Sequence, residues 1–185
     1  MSTATDFLNS PEAVGTWALD EDRSSFSFKN KTMWGLSNVT GRFTEFSGDG
    51  RVEAGGTVSG LLHVKAATVT TGIKQRDNHL RSADFFDADS HPDITVTVNG
   101  VDPAGADELN VRADLSIRGN TVALPMKVRA EVMDDGAVRL TATTTVEREQ
   151  LGVSGNIVGM VGKTTTLSAD TVFRRAGHAP DNSAV

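Results

Sequence analysis

The residues of this chain that could do chemistry are concentrated between positions 70 and 92. Two arginines, two aspartates and one histidine lie within nine residues: Arg76, Asp77, His79, Arg81 and Asp84. Aspartate and histidine side chains are common general acids and bases, so one hypothesis is a catalytic cluster that hydrolyses a lipid or a small ester. The other hypothesis is a structural clamp, in which these charges fasten one segment of the chain to the next.

Helical geometry favours the clamp. The sequence predicts one short helix within Lys74 to Arg81. Residues two positions apart on a helix lie about 200° apart around its axis. The side chains of Asp77 and His79 therefore cannot contact each other directly. We expect either Thr71 or Asp77 to cap a turn here. A hydrolase that uses Asp77, His79 and Asp84 remains the less favoured alternative.

The arginines of this segment are expected to bind carboxylates that follow it. Arg76 and Arg81 are predicted to pair with Asp84 or Asp87 and so fasten the helix to its loop. The apolar members of the same segment, Leu80, Phe85 and Phe86, are predicted to point at the body of the protein. On this interpretation the segment shapes a cavity and does not react with its contents.

Other kinds of reactive site have little support in the sequence. The chain has no cysteine, and His79 with His91 is the one histidine pair close enough along the chain to suggest metal ligands. A spacing of twelve residues across a loop is uninformative. There is no Gly-x-Ser-x-Gly elbow and no phosphate-binding glycine loop. We therefore predict no metal and no cofactor.

Composition narrows the range of partners. The 185 residues carry a formal net charge of −6, with a pI near 5.2 and no cluster of Lys and Arg. This argues against nucleic acid and against a polybasic membrane anchor. The N-terminal residues lack the basic and apolar regions of a signal peptide, and no run of 18 apolar residues occurs. The sequence thus predicts a cytoplasmic protein without stable membrane insertion.

The second half of the chain alternates apolar and polar residues with a period of two. Every odd residue from Leu109 to Ile117 is apolar, which is typical of a strand with one wet face. Gly119-Asn120 is predicted to link this strand to a second one in a tight hairpin. In the second strand the even positions from Val122 to Val132 are apolar, and Pro125 indicates an edge or a bulge. Two further strands, 138–146 and 165–173, complete a predicted meander.

The whole chain is predicted to be all-β, with eight or nine strands and the single helix at 74–81. So many strands must close into a barrel or divide into two packed sheets, and the period of two does not distinguish these folds. The small inward residues of the last strands favour a hollow barrel, which can hold one ligand. Residues 16–173 are predicted to form one domain. Residues 1–15 and 174–185 are predicted to be disordered ends.

Several segments resemble the YceI family of lipid-binding proteins, from about Trp17 to Phe173. The most specific are Val39 to Gly48, then Thr71-Gly72 with Arg76 to Asp87 and Pro92, Leu115 to Thr121, and Arg148 with Gly152. The resemblance implies an extended, antiparallel, lipocalin-like barrel of eight or nine strands with an inserted helix. It also implies an apolar tunnel for a polyisoprenoid or similar lipid, no catalytic residues, and the homodimer found in many members.

Strand alternation and this resemblance together predict binding, carriage or storage of a polyisoprenoid, isoprenoid quinone or fatty-acid-like molecule. An alternative use of the same barrel is sequestration of hydrophobic small molecules such as antibiotics. The residues predicted to contact the ligand are Phe26, Phe28, Trp34, Leu36, Val39, Phe43, Leu62, Val64, Leu80, Phe85, Phe86, Val96, Val98, Leu115, Ile117, Leu124, Met126 and Leu140.

Overall fold

The computed structural model describes residues 3–155 and 160–177. In these residues it contains two short α-helices, α1 (Ala4–Leu8) and α2 (Lys74–Arg81). The second helix has the bounds that the sequence predicts. The described strands are β1 (Gly15–Leu19), β2 (Ser25–Thr32), β3 (Ser37–Phe43), β4 (Phe46–Val52), β5 (Val58–Lys65), β6 (Val69–Thr70), β7 (Asp93–Pro103), β8 (Glu108–Ile117), β9 (Asn120–Ala123), β10 (Met126–Val132), β11 (Val138–Glu147) and β12 (Val161–Arg175).

Eight of these strands close into an antiparallel barrel. The order around the barrel is β1, β4, β5, β7, β8, β10, β11 and β12, and β12 pairs again with β1. Closure depends on β1, in which Trp17 lies opposite Gly50 of β4 on one side and opposite Arg175 of β12 on the other. The predicted barrel is therefore confirmed, and two separate sheets are not formed.

The remaining strands extend the barrel wall. β12 is long enough for two partners along one edge, since Phe173 lies opposite Leu19 of β1 while Leu167 lies opposite Phe28 of β2. The sheet continues from β2 to β3 and then to β6. β9 pairs with the end of β8. The sequence prediction merged some of these elements, because the break at positions 44–45 between β3 and β4 and the two-residue strand β6 leave the alternation almost unchanged.

The tight hairpin of the second half lies one residue earlier than predicted. Ile117 is paired with Asn120, so the two loop residues are Arg118 and Gly119 instead of Gly119 and Asn120. Their φ angles are 53° and 74°. A two-residue turn with both central residues at positive φ matches the twist of the flanking strands. Glycine and asparagine adopt positive φ more readily than arginine, which is why the sequence suggested Gly119-Asn120.

Pro125 interrupts the backbone ladder but does not change the register. Ala123 lies opposite Asp114 and Met126 lies opposite Val111, an equal separation on both strands. Proline has no N–H to donate, so β9 stops and β10 begins around it. The inward row continues across this break, and Leu124 is buried.

The N-terminal segment is folded where the prediction gave a disordered end. Thr3 and Asp6 form a capping box at the start of α1. Ala4 is buried, and the ring of Phe7 lies 5.8 Å from that of Trp17 in an edge-to-face arrangement. A helix of five residues is too short to show a helical period, and its stability comes from these contacts with the barrel.

Only part of the predicted disordered C-terminal end lies within the described residues. β12 extends to Arg175, two residues beyond the predicted end of the domain, and Arg175 lies opposite Trp17. Residues 178–185 of the predicted disordered tail lie outside the described residues.

In the part of the chain that is described, no helix is long and apolar enough to cross a membrane.

Candidate functional site

The barrel encloses an apolar cavity of about 930 Å³. Its wall is formed by the inward rows that the alternation predicts. On β8, for example, Leu109, Val111 and Leu115 are buried and line the cavity, while the even-numbered residues between them face outward. The cavity extends from Phe7 and Trp17 at one end of the barrel to Phe85 and Phe86 at the other. It thus follows the long axis of the barrel.

Most residues predicted to contact a ligand lie in this wall. Sixteen of the eighteen line the cavity: Phe26, Phe28, Val39, Phe43, Leu62, Val64, Leu80, Phe85, Phe86, Val96, Val98, Leu115, Ile117, Leu124, Met126 and Leu140. The other two, Trp34 and Leu36, are 76% and 85% exposed and lie outside it. Whether the sixteen bind a ligand remains a prediction.

Trp34 and Leu36 lie outside the cavity because of the backbone between β2 and β3. Met33, Trp34 and Gly35 have successive φ angles of 51°, 55° and 91°, all in the left-handed region. Such a run breaks the alternation that placed Leu36 on an inward row, and it turns Trp34, predicted as a lid or end-wall residue, toward solvent. Met33 is half exposed and also contributes to the cavity wall.

The predicted ligand set omitted residues that also form the wall. Val111, Val128 and Val146 lie on inward rows that the alternation had identified, yet they were left out of the ligand set. At the Phe85 end of the barrel, Leu151 and Val153 close the cavity from a turn and a loop. Neither of these two lies in a periodic segment, so the sequence carries no signal for them.

An aromatic cluster forms the wall near α2. The rings of Phe28, Phe43 and Phe86 have centroids 5.6 to 6.2 Å apart. Such tilted and edge-to-face pairs are favourable beyond the area they bury. Gly41 makes the cluster possible, because a Cβ there would lie only 2.4 Å from the ring of Phe28. The segment 70–92, called the insert from here on, thus helps to close the cavity with apolar rings.

Asp77 holds the turn that precedes α2. Its Oδ1 accepts hydrogen bonds from the N–H of Thr71 at 2.7 Å and from its hydroxyl at 2.6 Å, and its Oδ2 accepts one from the Thr70 hydroxyl at 3.1 Å. Burial acts to raise the pKa of Asp77, but these hydrogen bonds, helped by the charge of Arg81, hold the pKa below its usual value. Thr71 and Asp77 thus hold a turn, as predicted, but neither caps α2, whose N-cap is Ile73 and has no side-chain hydrogen bond.

The predicted arginine–carboxylate pairs are wrong. Arg81 donates to the backbone carbonyls of Ala67 and Val69, at 2.6 and 2.9 Å. Arg76 donates to the hydroxyl of Thr71 at 2.8 Å. The spacing of side chains in a sequence gives no information on backbone carbonyls. The carbonyl partners of Arg81 could therefore not be identified from the sequence. Both arginines still fasten the helix, but to the segment before it and not to the loop after it.

His79 and Asp84 form a histidine–carboxylate contact in the insert. His79 Nε2 lies 3.1 Å from Asp84 Oδ2, and the imidazole lies edge-to-face on Phe85 with centroids 5.0 Å apart. His79 also lies in the cavity wall. Both carboxylate oxygens of Asp77 accept hydrogen bonds from Thr70 or Thr71. Among the described residues there is no group of three or more His, Cys, Asp or Glu that could hold a metal ion.

Arg148 lies buried at the end of the cavity and is 4% exposed. Its guanidinium donates to the carbonyls of Val153 at 2.6 Å, Gly162 at 2.8 Å, Gly155 at 3.0 Å and Val161 at 3.2 Å. Burial lowers the pKa of Arg148 from its ordinary value, against the opposing charge of Glu149. An arginine remains protonated at neutral pH, so a positive charge tethers the segments on both sides of positions 156–159.

Asn30 is the buried polar residue of the inward row of β2. Its Nδ2 donates to the carbonyl of Gly162 at 3.2 Å and to the hydroxyl of Thr165 at 2.7 Å. Its Oδ1 has no hydrogen-bond partner among the described residues. Asn30 and Arg148 therefore share the carbonyl of Gly162 as an acceptor. They make this end of the cavity polar, while the rest of its length is mainly apolar.

Sequence comparison relates the chain to known proteins over nearly all of the barrel. Residues 17–173 match the YceI-like domain. A UPF0312 protein of Shewanella baltica is 30% identical over 139 residues, which cover 70% of this chain and 71% of that protein. A UPF0312 protein of Azotobacter vinelandii is 32% identical over 104 residues, covering 55% of this chain and 53% of that protein.

Solved structures share the same fold. BcnA of Burkholderia cenocepacia superposes with a TM-score of 0.76 at 21% identity, over 83% of this chain and 98% of BcnA. A polyisoprenoid binding domain from Saccharophagus degradans superposes with a TM-score of 0.71 at 17% identity, over 86% of this chain and 98% of that domain. With the closed barrel, the inserted helix and the match over residues 17–173, this chain belongs to the YceI family.

Proposed function

We propose that this protein binds one long apolar molecule in its barrel and carries or stores it without changing it chemically. The ligand class is a polyisoprenoid, an isoprenoid quinone or a fatty-acid-like lipid. The observation that carries the proposal is the cavity, whose volume of about 930 Å³ is near the upper end of the range for ligand pockets. Its wall is built mainly from aliphatic and aromatic side chains.

The shape of the barrel supports a long ligand. β7 and β8 have 11 and 10 residues, and strands of that length extend about 33 to 36 Å. At the tilt of about 35 to 45° that is usual in barrels, they cover roughly 23 to 30 Å of the barrel axis. A chain lying along this axis gains about 0.8 kcal/mol for each CH₂ group transferred from water. Affinity can therefore come from the wall alone, with few polar contacts. The Saccharophagus degradans domain, described as polyisoprenoid-binding, supports the same ligand class.

The insert supports binding without catalysis. The carboxylate of Asp77, one of the three residues of the hydrolase hypothesis, accepts three hydrogen bonds from Thr70 and Thr71. His79 contacts Asp84, and its ring packs on Phe85 in the wall. These contacts give the three residues structural partners within the insert.

Native mass spectrometry tests the proposal. The protein, gently purified or mixed with a polyprenol after delipidation, should carry one bound lipid per chain, and a polyprenol should displace a fluorescent apolar probe. The intact mass of the recovered lipid should be unchanged. Protein that stays empty and takes up no prenyl chain would contradict the proposal. Preferential displacement of the probe by hydrophobic antibiotics would instead favour sequestration of such compounds.

A further inference from the structure

The connection between β2 and β3 exposes large apolar side chains. Met33, Trp34 and Leu36 are 51%, 76% and 85% exposed. The three positive φ angles at positions 33–35 hold this segment away from the barrel. Exposed apolar groups concentrated in a few residues, and not scattered singly, indicate an interaction surface. The segment is continuous with the cavity, because Met33 also contributes to its wall.

The strands that carry this connection have an unusual charge distribution. Residues 24–44, which include β2 and β3, contain Lys29, Lys31 and Arg42 but no Asp or Glu. Residues 160–169, at the start of the adjoining β12, contain Lys163 and again no acid. All four cations are exposed. In a chain of net charge −6, this makes one basic face beside the exposed apolar connection.

We infer that this surface, Met33, Trp34 and Leu36 with the basic face behind them, docks reversibly on an anionic lipid bilayer. Tryptophan sits favourably at the level of lipid headgroups, with an apolar neighbour such as Leu36 reaching deeper. Lysine and arginine beside it are attracted to acidic headgroups and can extend their apolar stems along the surface.

Charge favours a lipid surface over a second copy of the chain. Two copies meeting through this face would bring Lys29 and Lys31 against the same cations of the partner, and like charges in contact oppose association. An acidic headgroup layer neutralises them. Docking at this end of the barrel would bring the cavity wall at Met33 close to the bilayer. The inference does not rest on the proposed function, because an empty barrel would present the same surface.

Vesicle flotation with the full chain tests the inference. The protein should float with vesicles of phosphatidylcholine and phosphatidylglycerol, much less with pure phosphatidylcholine, and binding should fall as salt is added.

The double variant Trp34→Ser with Leu36→Ser should bind anionic vesicles at least about tenfold more weakly than the unmodified protein. Lys29→Ser with Lys31→Ser should weaken binding by at least about tenfold. The matched control, Lys127→Ser with Arg129→Ser, removes two exposed cations from β10 and should bind anionic vesicles better than the Lys29 and Lys31 variant.

Tryptophan fluorescence locates the contact. The chain has two tryptophans, and Trp17 is buried with its Nε1 donating to the carbonyl of Ala13. Anionic vesicles should therefore shift the emission of Trp34 to the blue, with lipid-borne quenchers reaching Trp34 and not Trp17. Absence of binding to anionic vesicles would overturn the inference, as would binding that the Trp34 and Leu36 variant retains. A concentration-dependent dimer lost in that variant, without vesicle binding, would assign the surface to a second copy.

Discussion

Replacing Ala142 with tryptophan should nearly abolish uptake of a long apolar ligand while the barrel remains folded. Ala142 lies in the middle of β11, opposite Ala169 of β12, and both small side chains line the cavity. An indole at this point projects into empty space and divides the cavity. A ligand chain that cannot pass it loses about 0.8 kcal/mol for each CH₂ left in water, so four such groups correspond to roughly two-hundredfold weaker binding. Titration with a fluorescent prenyl probe measures this change.

The control for this variant is a substitution of the next residue. Thr143 is on the outer, exposed face of the same strand, so Thr143→Trp adds the same side chain without entering the cavity. It should bind the probe as the unmodified protein does. If Ala142→Trp also binds normally and melts normally, the centre of the barrel is not where the ligand lies.

Replacing Arg148 with methionine should destabilise the fold more than any exposed arginine substitution. The change keeps an unbranched apolar side chain but leaves four backbone carbonyls without their charged donor. The carbonyl of Gly162 keeps its bond from Asn30, so those of Val153, Gly155 and Val161 are the ones left without this partner. Buried groups left unsatisfied cost about 1 to 3 kcal/mol each, and water entering at the cavity end recovers part of this. We expect the free energy of unfolding in urea to fall by at least about 3 kcal/mol.

Arg129→Met provides the comparison, because Arg129 is an exposed arginine on the outer face of β10. Its effect on the free energy of unfolding should stay within about 0.5 kcal/mol. A similarly small effect for Arg148→Met would show that the carbonyls around positions 153–162 find other partners. That result would contradict the proposal that Arg148 holds these segments together.

The parts of the fold that the sequence predicts are those with a regular period. From Leu109 to Val146 the apolar residues alternate over several consecutive strands, and the inward rows of the structure are the predicted ones. The helix at Lys74–Arg81 is also found as predicted. Long alternating segments are informative because one face of each strand must be buried at every second residue.

The parts that the sequence misplaces are determined locally by backbone angles or by distant contacts. Trp34 and Leu36 face outward because of positive φ angles that no residue type there demands, apart from Gly35. α1 depends on contacts such as that of Phe7 with Trp17. Arg148 finds its partners among backbone carbonyls, and side-chain spacing contains no information on those.

The most direct test of the account is a crystal structure of the protein saturated with a polyprenol. The central claim is that one extended apolar chain occupies the barrel. It predicts continuous tubular electron density along the axis, from Phe85 and Phe86 at one end toward Trp17 at the other, in contact with Leu140 and Met126. A cavity that contains only ordered water, with the polyprenol bound on the outer surface or absent, would contradict the claim.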